Sequence, residues 1–263
     1  MRDNPLGMHM LKSGIHRMFN LCGFEIRLLR NIHATARKER REMERQQWRF
    51  LRKFDVKTIL DIGANEGQFA TLMRTECPDA AIYSFEPLPD VFAILEKTFA
   101  GDQKLVPINI GLSDDAGVRA MNRSDFSPSS SLLPMAELHR DEWPQSAGQT
   151  QVKVSLRRLD DWATEARVRA QPGLIVKMDV QGHELAVING GVETIRTALL
   201  LIIEVSFYEL YEGQPLFAEI HDRLASLGFR YRGSLEQHYS TKCDRILFAD
   251  AVFENMNYKA NHE

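Results

Sequence analysis

The chain is poor in cysteine, with three in 263 residues. Cys22, Cys77 and Cys243 lie far apart, are odd in number and fit no CxxC spacing. That excludes a disulfide framework and a zinc site and reads as reduced thiols of a cytosolic protein. No apolar run reaches the ~18 residues of a membrane-spanning helix. Lys12, His16 and Arg17 interrupt the N-terminal apolar residues before a signal-peptide core forms. There is no internal repeat, and no His, Cys or carboxylate spacing demands a metal, so none is expected. What remains is ordinary globular composition, 44% hydrophobic and 26% charged, which excludes a collagen-like or largely disordered chain. The net charge of −3 hides a split: residues 1–53 carry 13 Lys/Arg against 5 Asp/Glu, net +8, and the rest 20 against 31, net −11. An acidic body makes nucleic acid an unexpected partner.

In residues 8–33, Leu11, Ile15, Met18, Cys22, Ile26 and Leu29 recur at steps of four and three, a helical apolar stripe. Residues 34–53 are helix-forming, charged and mixed in sign. Residues 1–53 therefore read as a basic helical extension. It is either solvated helix packed on the domain, or a basic amphipathic surface for anionic lipid or a phosphorylated carrier, which would put the protein at the inner face of a membrane. It is also a candidate contact for a homodimer.

From residue 58 the rhythm becomes strand, turn, helix. Strands are predicted at 58–62, 81–85, 105–108, 174–178 and 199–205, with the last two at 229–232 and 246–249 as antiparallel neighbours. Helices are predicted at 68–75, from Leu88 to Phe99, at 159–166, at 183–189 and at 216–227. Alternating strands and helices give an α/β domain with a mostly parallel sheet covered on both faces, placed at 54–250, with 251–263 as a tail. The Ser- and Pro-rich stretch 119–150 breaks the rhythm and reads as a lid-like insertion, with Trp143 and its serines available to stack and hydrogen-bond a sugar. Residues 151–156 alternate like an exposed strand.

Asp61-Ile62-Gly63-Ala64-Asn65-Glu66-Gly67 follows a strand and opens a helix, so Gly63 and Gly67 permit a sharp turn close to a ligand. Nineteen residues beyond Gly67, Glu86 closes the next strand, where a carboxylate accepts ribose hydroxyls. The dinucleotide fingerprint needs a second glycine for the pyrophosphate, and that place is Asn65. S-adenosylmethionine, which has no phosphate, suits the turn better than NAD. The alternative is a turn that only connects strand to helix.

DIGANEGQFA (61–70), SFEP (84–87), NIGLSD (109–114), SSSLL (129–133), RLDDW (158–162), VKMDVQGHELAVINGG (176–191) and LIIEVS (201–206) together resemble the FkbM family of S-adenosylmethionine-dependent methyltransferases. The resemblance spans about residues 56–250 and leaves 1–53 uncovered. It implies the class I methyltransferase (Rossmann-like) fold, seven strands with the last antiparallel, and methyl transfer to a hydroxyl of a sugar, glycan or glycosylated metabolite. By position it implies that Asp61, Gly63, Ala64, Asn65 and Gly67 surround the methionine end of the cofactor and that Glu86 holds the ribose. It also implies that Asn109, Ser113 and Asp114 border the adenine and that Asp179 lies near the sulfonium.

A hydroxyl is a poor nucleophile while protonated, so a base nearby assists transfer. Asp179, His183 and Glu204 fall at or past strand ends, where open α/β sheets bind ligands, and are the catalytic candidates. Each has a plainer reading: Asp179 as a helix cap, His183 as a surface residue, Glu204 as the partner of an arginine. His139 and His238 are weaker candidates. Two other functions compete. An NAD-dependent oxidoreductase is disfavoured by Asn65 and by the lack of a Tyr-x-x-x-Lys pair after the fourth strand. The other is a non-catalytic scaffold that binds a membrane or partner through the basic arm.

Overall fold

The computed structural model describes residues 46–168 and 173–258. The chain divides into two compact units, Met1–Trp48 and Arg49–Glu263. Of the first unit only 46–48 are described, and they are helical. The apolar stripe at 8–33 and most of the charged helix at 34–53 thus lie outside the described residues, while Arg49–Lys53 forms a 3-10 helix on which Leu51 is buried. Among the described residues no helix is long and apolar enough to cross a membrane.

The second unit is built on β1 (Thr58–Ile62), β2 (Ala81–Phe85), β3 (Leu105–Ile108), β7 (Leu174–Met178), β8 (Leu200–Ser206), β9 (Phe229–Ser240) and β10 (Arg245–Asn255). Their spatial order is β3-β2-β1-β7-β8-β10-β9. Neighbours pair in parallel except β10, which runs antiparallel to both β8 and β9. This is the class I methyltransferase sheet expected from the resemblance. Every residue of β1 is buried, and β7 and β8 are buried along almost their whole length. That is why these strands read as near-continuous apolar runs, as strands covered on both faces do.

The helices form where apolar spacing and end signals agree. Helix α1 (Gln68–Glu76) buries Ala70 and Met73. Helix α2 (Pro89–Thr98) starts on a proline, whose fixed φ suits the first turn, and buries Val91 and Leu95. Short helices α3 (Glu137–Glu142), α4 (Leu159–Glu165), α5 (Glu184–Gly190) and α6 (Val192–Ile195) follow. Helix α7 (Phe217–Ser226) begins with Glu219 accepting the Leu216 backbone N–H at 3.0 Å, and buries Ile220 and Leu224.

The stretch 119–150 is not a structureless excursion. Strand β5 (Gly117–Ser124) pairs antiparallel with β6 (Gln149–Arg158), which also pairs in parallel with β4 (Gly111–Ser113), to make a second, three-stranded sheet. Met121, Val154 and Leu156 of that sheet pack on Leu88 and Val91 in a core of their own. Their alternation along the strands marks the one face that is buried. The exposed strand expected at 151–156 is the middle of β6. The final hairpin is also longer than its apolar clusters suggest, and β10 runs to Asn255, five residues past the boundary expected at 250. Its length is set by pairing with β8 and β9 rather than by its own periodicity.

Helix α5 lies so close to β4 that a Cβ on Gly190 would sit 1.9 Å from the Ser113 carbonyl oxygen. Gly190→Ala is therefore expected to force the helix off the strand. Overpacking of this kind costs about 1–3 kcal/mol, or a melting temperature several degrees lower in scanning calorimetry. Gly101→Ala, which meets nothing within 4 Å, is the control and should leave it unchanged.

Candidate active site

The C-terminal ends of β1, β2, β7 and β8 open into a cavity of about 270 Å³. It spans the gap between β1 and β7, the point where the strand order reverses direction and where open α/β sheets take their ligands. Gly63, Asn65, Glu86, Asp179, His183 and Glu204, all anticipated from sequence, line it. The segment 126–132 forms a roof, contributing Phe126, Ser127, Pro128, Ser129, Ser130 and Leu132.

The turn after β1 is locked to the end of β2. The Gly63 and Ala64 N–H groups donate to the Phe85 carbonyl at 3.1 and 2.9 Å. Asn65, at φ 47, donates its N–H to Glu86 Oε2 at 3.0 Å, and the Leu88 N–H donates to Oε1 at 2.8 Å. Glu86 is 5% exposed. Burial pushes its pKa up to about 7, against the pull of these two backbone donors. Each carboxylate oxygen keeps a second acceptor site. The glycines serve the chain's own packing as much as a ligand. A Cβ on Gly63 (φ +79) would lie 1.9 Å from the Asp179 carbonyl oxygen, and one on Gly67 (φ +91) 2.3 Å from Phe99.

Asp179 and Glu204 are joined by Gln181, whose Nε2 donates to Asp179 Oδ1 at 2.7 Å and to Glu204 Oε1 at 2.9 Å. The Tyr211 hydroxyl donates to Gln181 Oε1 at 2.6 Å, and the Ser131 hydroxyl donates to the Gln181 carbonyl at 2.6 Å. Gln181 sits at φ 54, a left-handed conformation that a non-glycine residue holds only when its surroundings fix it. Lys177 Nζ lies 3.4 Å from Asp179 Oδ2 and 3.8 Å from Asp61 Oδ1. Burial alone would depress its pKa, but the facing carboxylates of Asp179 and Asp61 hold it above the usual lysine value. Glu204 is raised well above the usual carboxylate range by burial and by the Asp179 and Asp250 charges. It pairs with Gln181, not with an arginine. Asp179 caps no helix; its side chain, 32% exposed, is left facing the cavity.

The remaining candidates are placed otherwise. Asp61, Ala64, Gly67, Asn109, Ser113 and Asp114 are not among the lining residues. Asp61 is fully buried beneath the turn. Asn109 Nδ2 donates to the Glu86 carbonyl at 2.9 Å and so braces the carboxylate's backbone. Ser113 is buried in β4, and its hydroxyl lies 3.0 Å from His183 Nε2 and 3.1 Å from Asp114 Oδ1. Ile110, Gly111 and Leu112 face the cavity in their place. Burial lowers the His183 pKa. Tyr211, Lys177 and the serines of 129–131 join the site without having been singled out singly, although SSSLL stood out as a motif. Among the described residues no cluster of three His, Cys or carboxylate groups is arranged to hold a metal ion.

A family model described as "Methyltransferase FkbM domain" matches residues 61–231. The 2-O-methyltransferase NoeI of Sinorhizobium fredii is 34% identical over 64% of this chain and 71% of its own length. The hexuronic acid methyltransferase AglP of Haloferax volcanii is 28% identical over 56% of this chain, and the match spans 55% of AglP. The crystal structure of Methyltransferase FkbM from Methylobacillus flagellatus KT overlays on 76% of this chain and 44% of that one at 13% identity, with a TM-score of 0.47. With the family model covering more than half of its length, the chain belongs to the FkbM methyltransferase family.

Proposed function

We propose that the protein transfers the methyl group of S-adenosylmethionine to a hydroxyl oxygen of a sugar or glycosylated acceptor. The observation that carries this is the convergence of Asn65, Glu86 and Asp179 on one cavity at the switch point of the sheet, in a chain whose relatives include a sugar-modifying methyltransferase by name. When bound, the cofactor supplies a methyl group on a positively charged sulfur. The residues present fit it. Glu86 offers two free acceptor sites to a ribose, while Phe85, Pro87, Ile110 and Leu112 supply apolar walls for a base. The part-exposed Asp179 carboxylate gives a cation a partner.

The chain's own contribution is orientation. Alignment of two reactants in a fixed geometry accounts for much of such an acceleration. Gln181 ties Asp179 to Glu204, Tyr211 and Ser131 hold Gln181, and Lys177 holds the other carboxylate oxygen, so the group facing the cavity is fixed. Glu204 braces Gln181 by accepting from its Nε2.

Titration calorimetry with S-adenosylhomocysteine tests the cofactor assignment: binding in the micromolar range and none with NAD supports it, and no binding by either refutes it. Glu86 adds a pH signature. Its raised pKa leaves part of the carboxyl protonated at neutral pH, and only the ionised form accepts two ribose hydroxyls with all its lone pairs. Affinity should therefore fall as pH drops through about 7, approaching tenfold per pH unit below it. Glu86→Gln should bind weakly at every pH and lose that slope.

Asp179→Asn keeps the hydrogen bond from Gln181 possible but removes the charge. Turnover is expected to fall roughly 10²-fold, the usual scale for one electrostatic contact to a reaction centre. Homocysteine-product affinity should change far less. Steady-state kinetics beside calorimetry reads the two effects separately.

A further inference from the structure

The cavity has two halves, and the cofactor assignment uses one of them. The turn after β1, Glu86 after β2 and the Ile110–Leu112 stretch after β3 line the first. Past Asp179 and Gln181, on the side of β8, β9 and β10, the lining changes to His139, Trp143, His238 and Phe248. These rings form one cluster. Trp143 lies 4.8 Å from His139 and 4.9 Å from His238, and His238 stacks on Phe248 at 5.1 Å with an interplanar angle of 5°. His139 also lies 4.9 Å from the Tyr211 ring, whose hydroxyl holds Gln181, so the cluster adjoins the Asp179 network directly.

His139 is 3% exposed, and its hydrogen bonds fix which nitrogen carries the proton. Its Nε2 lies 3.1 Å from the Ser146 hydroxyl oxygen. That hydroxyl has a single proton, which it donates to the Trp143 carbonyl at 2.7 Å. Ser146 can then only accept from His139, so Nε2 bears the hydrogen and Nδ1 is left with its lone pair. Nδ1 is buried and has no partner. Burial, with the Arg140 charge adding to it, lowers the ring's pKa to about 4, so the lone pair stays free at neutral pH. A buried unsatisfied acceptor is rare enough in proteins to call for an explanation, of which an absent ligand is one.

We infer that this second half is the acceptor subsite: His139 Nδ1 accepts the hydrogen bond of an acceptor hydroxyl, and Trp143 with His238 and Phe248 covers the apolar face of a neutral sugar ring. The inference rests on the methyltransferase reading and adds the substrate's charge class to it. Among the described residues no Lys or Arg lines the cavity, whereas Glu86, Asp179 and Glu204 do, so an anionic sugar meets no counter-charge there. A pocket of apolar and aromatic walls with a few placed polar groups is the usual form of a small-molecule site.

The test uses the whole protein, a panel of neutral methyl glycosides, and the matching methyl glycosides of uronic acids. Three things are read: methyl transfer from labelled S-adenosylmethionine, S-adenosylhomocysteine affinity, and the change in intrinsic tryptophan emission when glycoside is added to protein saturated with S-adenosylhomocysteine. Neutral glycosides are expected to be methylated at least tenfold better than uronates. His139→Phe, which keeps the ring contacts, should raise the acceptor KM at least tenfold with S-adenosylhomocysteine affinity unchanged. His139→Gln, which can both donate to Ser146 and accept, should recover part of the loss. Trp143→Phe should abolish the emission change. If S-adenosylhomocysteine binds and methyl is transferred but His139→Phe leaves KM as it was, the subsite is overturned and the methyltransferase reading stands. Preference for uronates, or cofactor binding with no neutral glycoside methylated, overturns it equally. Absence of S-adenosylhomocysteine binding by the unmodified protein instead removes the reading beneath it.

Discussion

The site depends on one buried ion pair across the centre of the sheet. β1 and β7 are in register so that Asp61 stands beside Lys177, with Ser84 of β2 on the other side of Asp61. Lys177, its side chain 13% exposed, then reaches Asp179 just past the strand end. Its Nζ also lies 3.3 Å from the Gly63 carbonyl. One cation therefore fixes the turn that carries Asn65 and the loop that carries Asp179. A shift of one residue in this pairing would send each side chain to the opposite face and strand Asp61 among apolar residues. An unpaired buried charge costs several kcal/mol, so the pair selects the register that assembles the cavity.

The roof depends on a second set of contacts, made by residues remote in sequence. Asn65 Nδ2 donates to the Ser127 hydroxyl at 3.2 Å, and Ser131 bonds the Gln181 carbonyl. The segment after β5 is thus tied at one end to the turn after β1 and at the other to the loop after β7. The small sheet behind it, packed on α2, gives those serines a fixed base. The lid-like segment is anchored on both sides of the cavity, with the Ser127, Ser130 and Ser131 hydroxyls bonded to the protein's own groups.

The legible part of this structure is the part that local physics decides. β1, β7 and β8 announce themselves as apolar runs because both faces are covered, and Glu86 could be picked out because a carboxylate at a strand end after a glycine turn has few other uses. β5 and β6 were harder: one face is buried and the other solvated, over a segment dense in Ser and Pro. Lys177 stands inside an apolar strand, and its register with Asp61 gives it a purpose. Tyr211 is 30 residues from Gln181 and carries no motif. Asn109, Ser113 and Asp114 were read one by one from a motif that is in the right place. The strand β4 within it, however, turns Ser113 inward to His183 and leaves Ile110 and Leu112 facing the cavity. Motifs locate a segment; which of its side chains face the ligand follows from pairing that the segment does not encode by itself.

Two of the histidines lining the cavity, His139 and His183, show what that pairing adds. Each has its Nε2 against a serine hydroxyl, and in each case the serine's proton is committed elsewhere: Ser113 faces the Asp114 and Asp115 carboxylates, and Ser146 faces a backbone carbonyl. Both rings therefore carry the hydrogen on Nε2. Their surroundings then separate them. Acidic Asp114 and Asp115 oppose the effect of burial on His183, whereas His139 meets only the added positive charge of Arg140. His183 precedes α5 and bonds to Ser113 of β4, whereas His139 stands among rings. A base expected at His183 from sequence spacing is thus matched by a freer lone pair at His139, across the Asp179–Gln181 network. Surroundings in the cavity, rather than spacing from the glycine turn, separate the two.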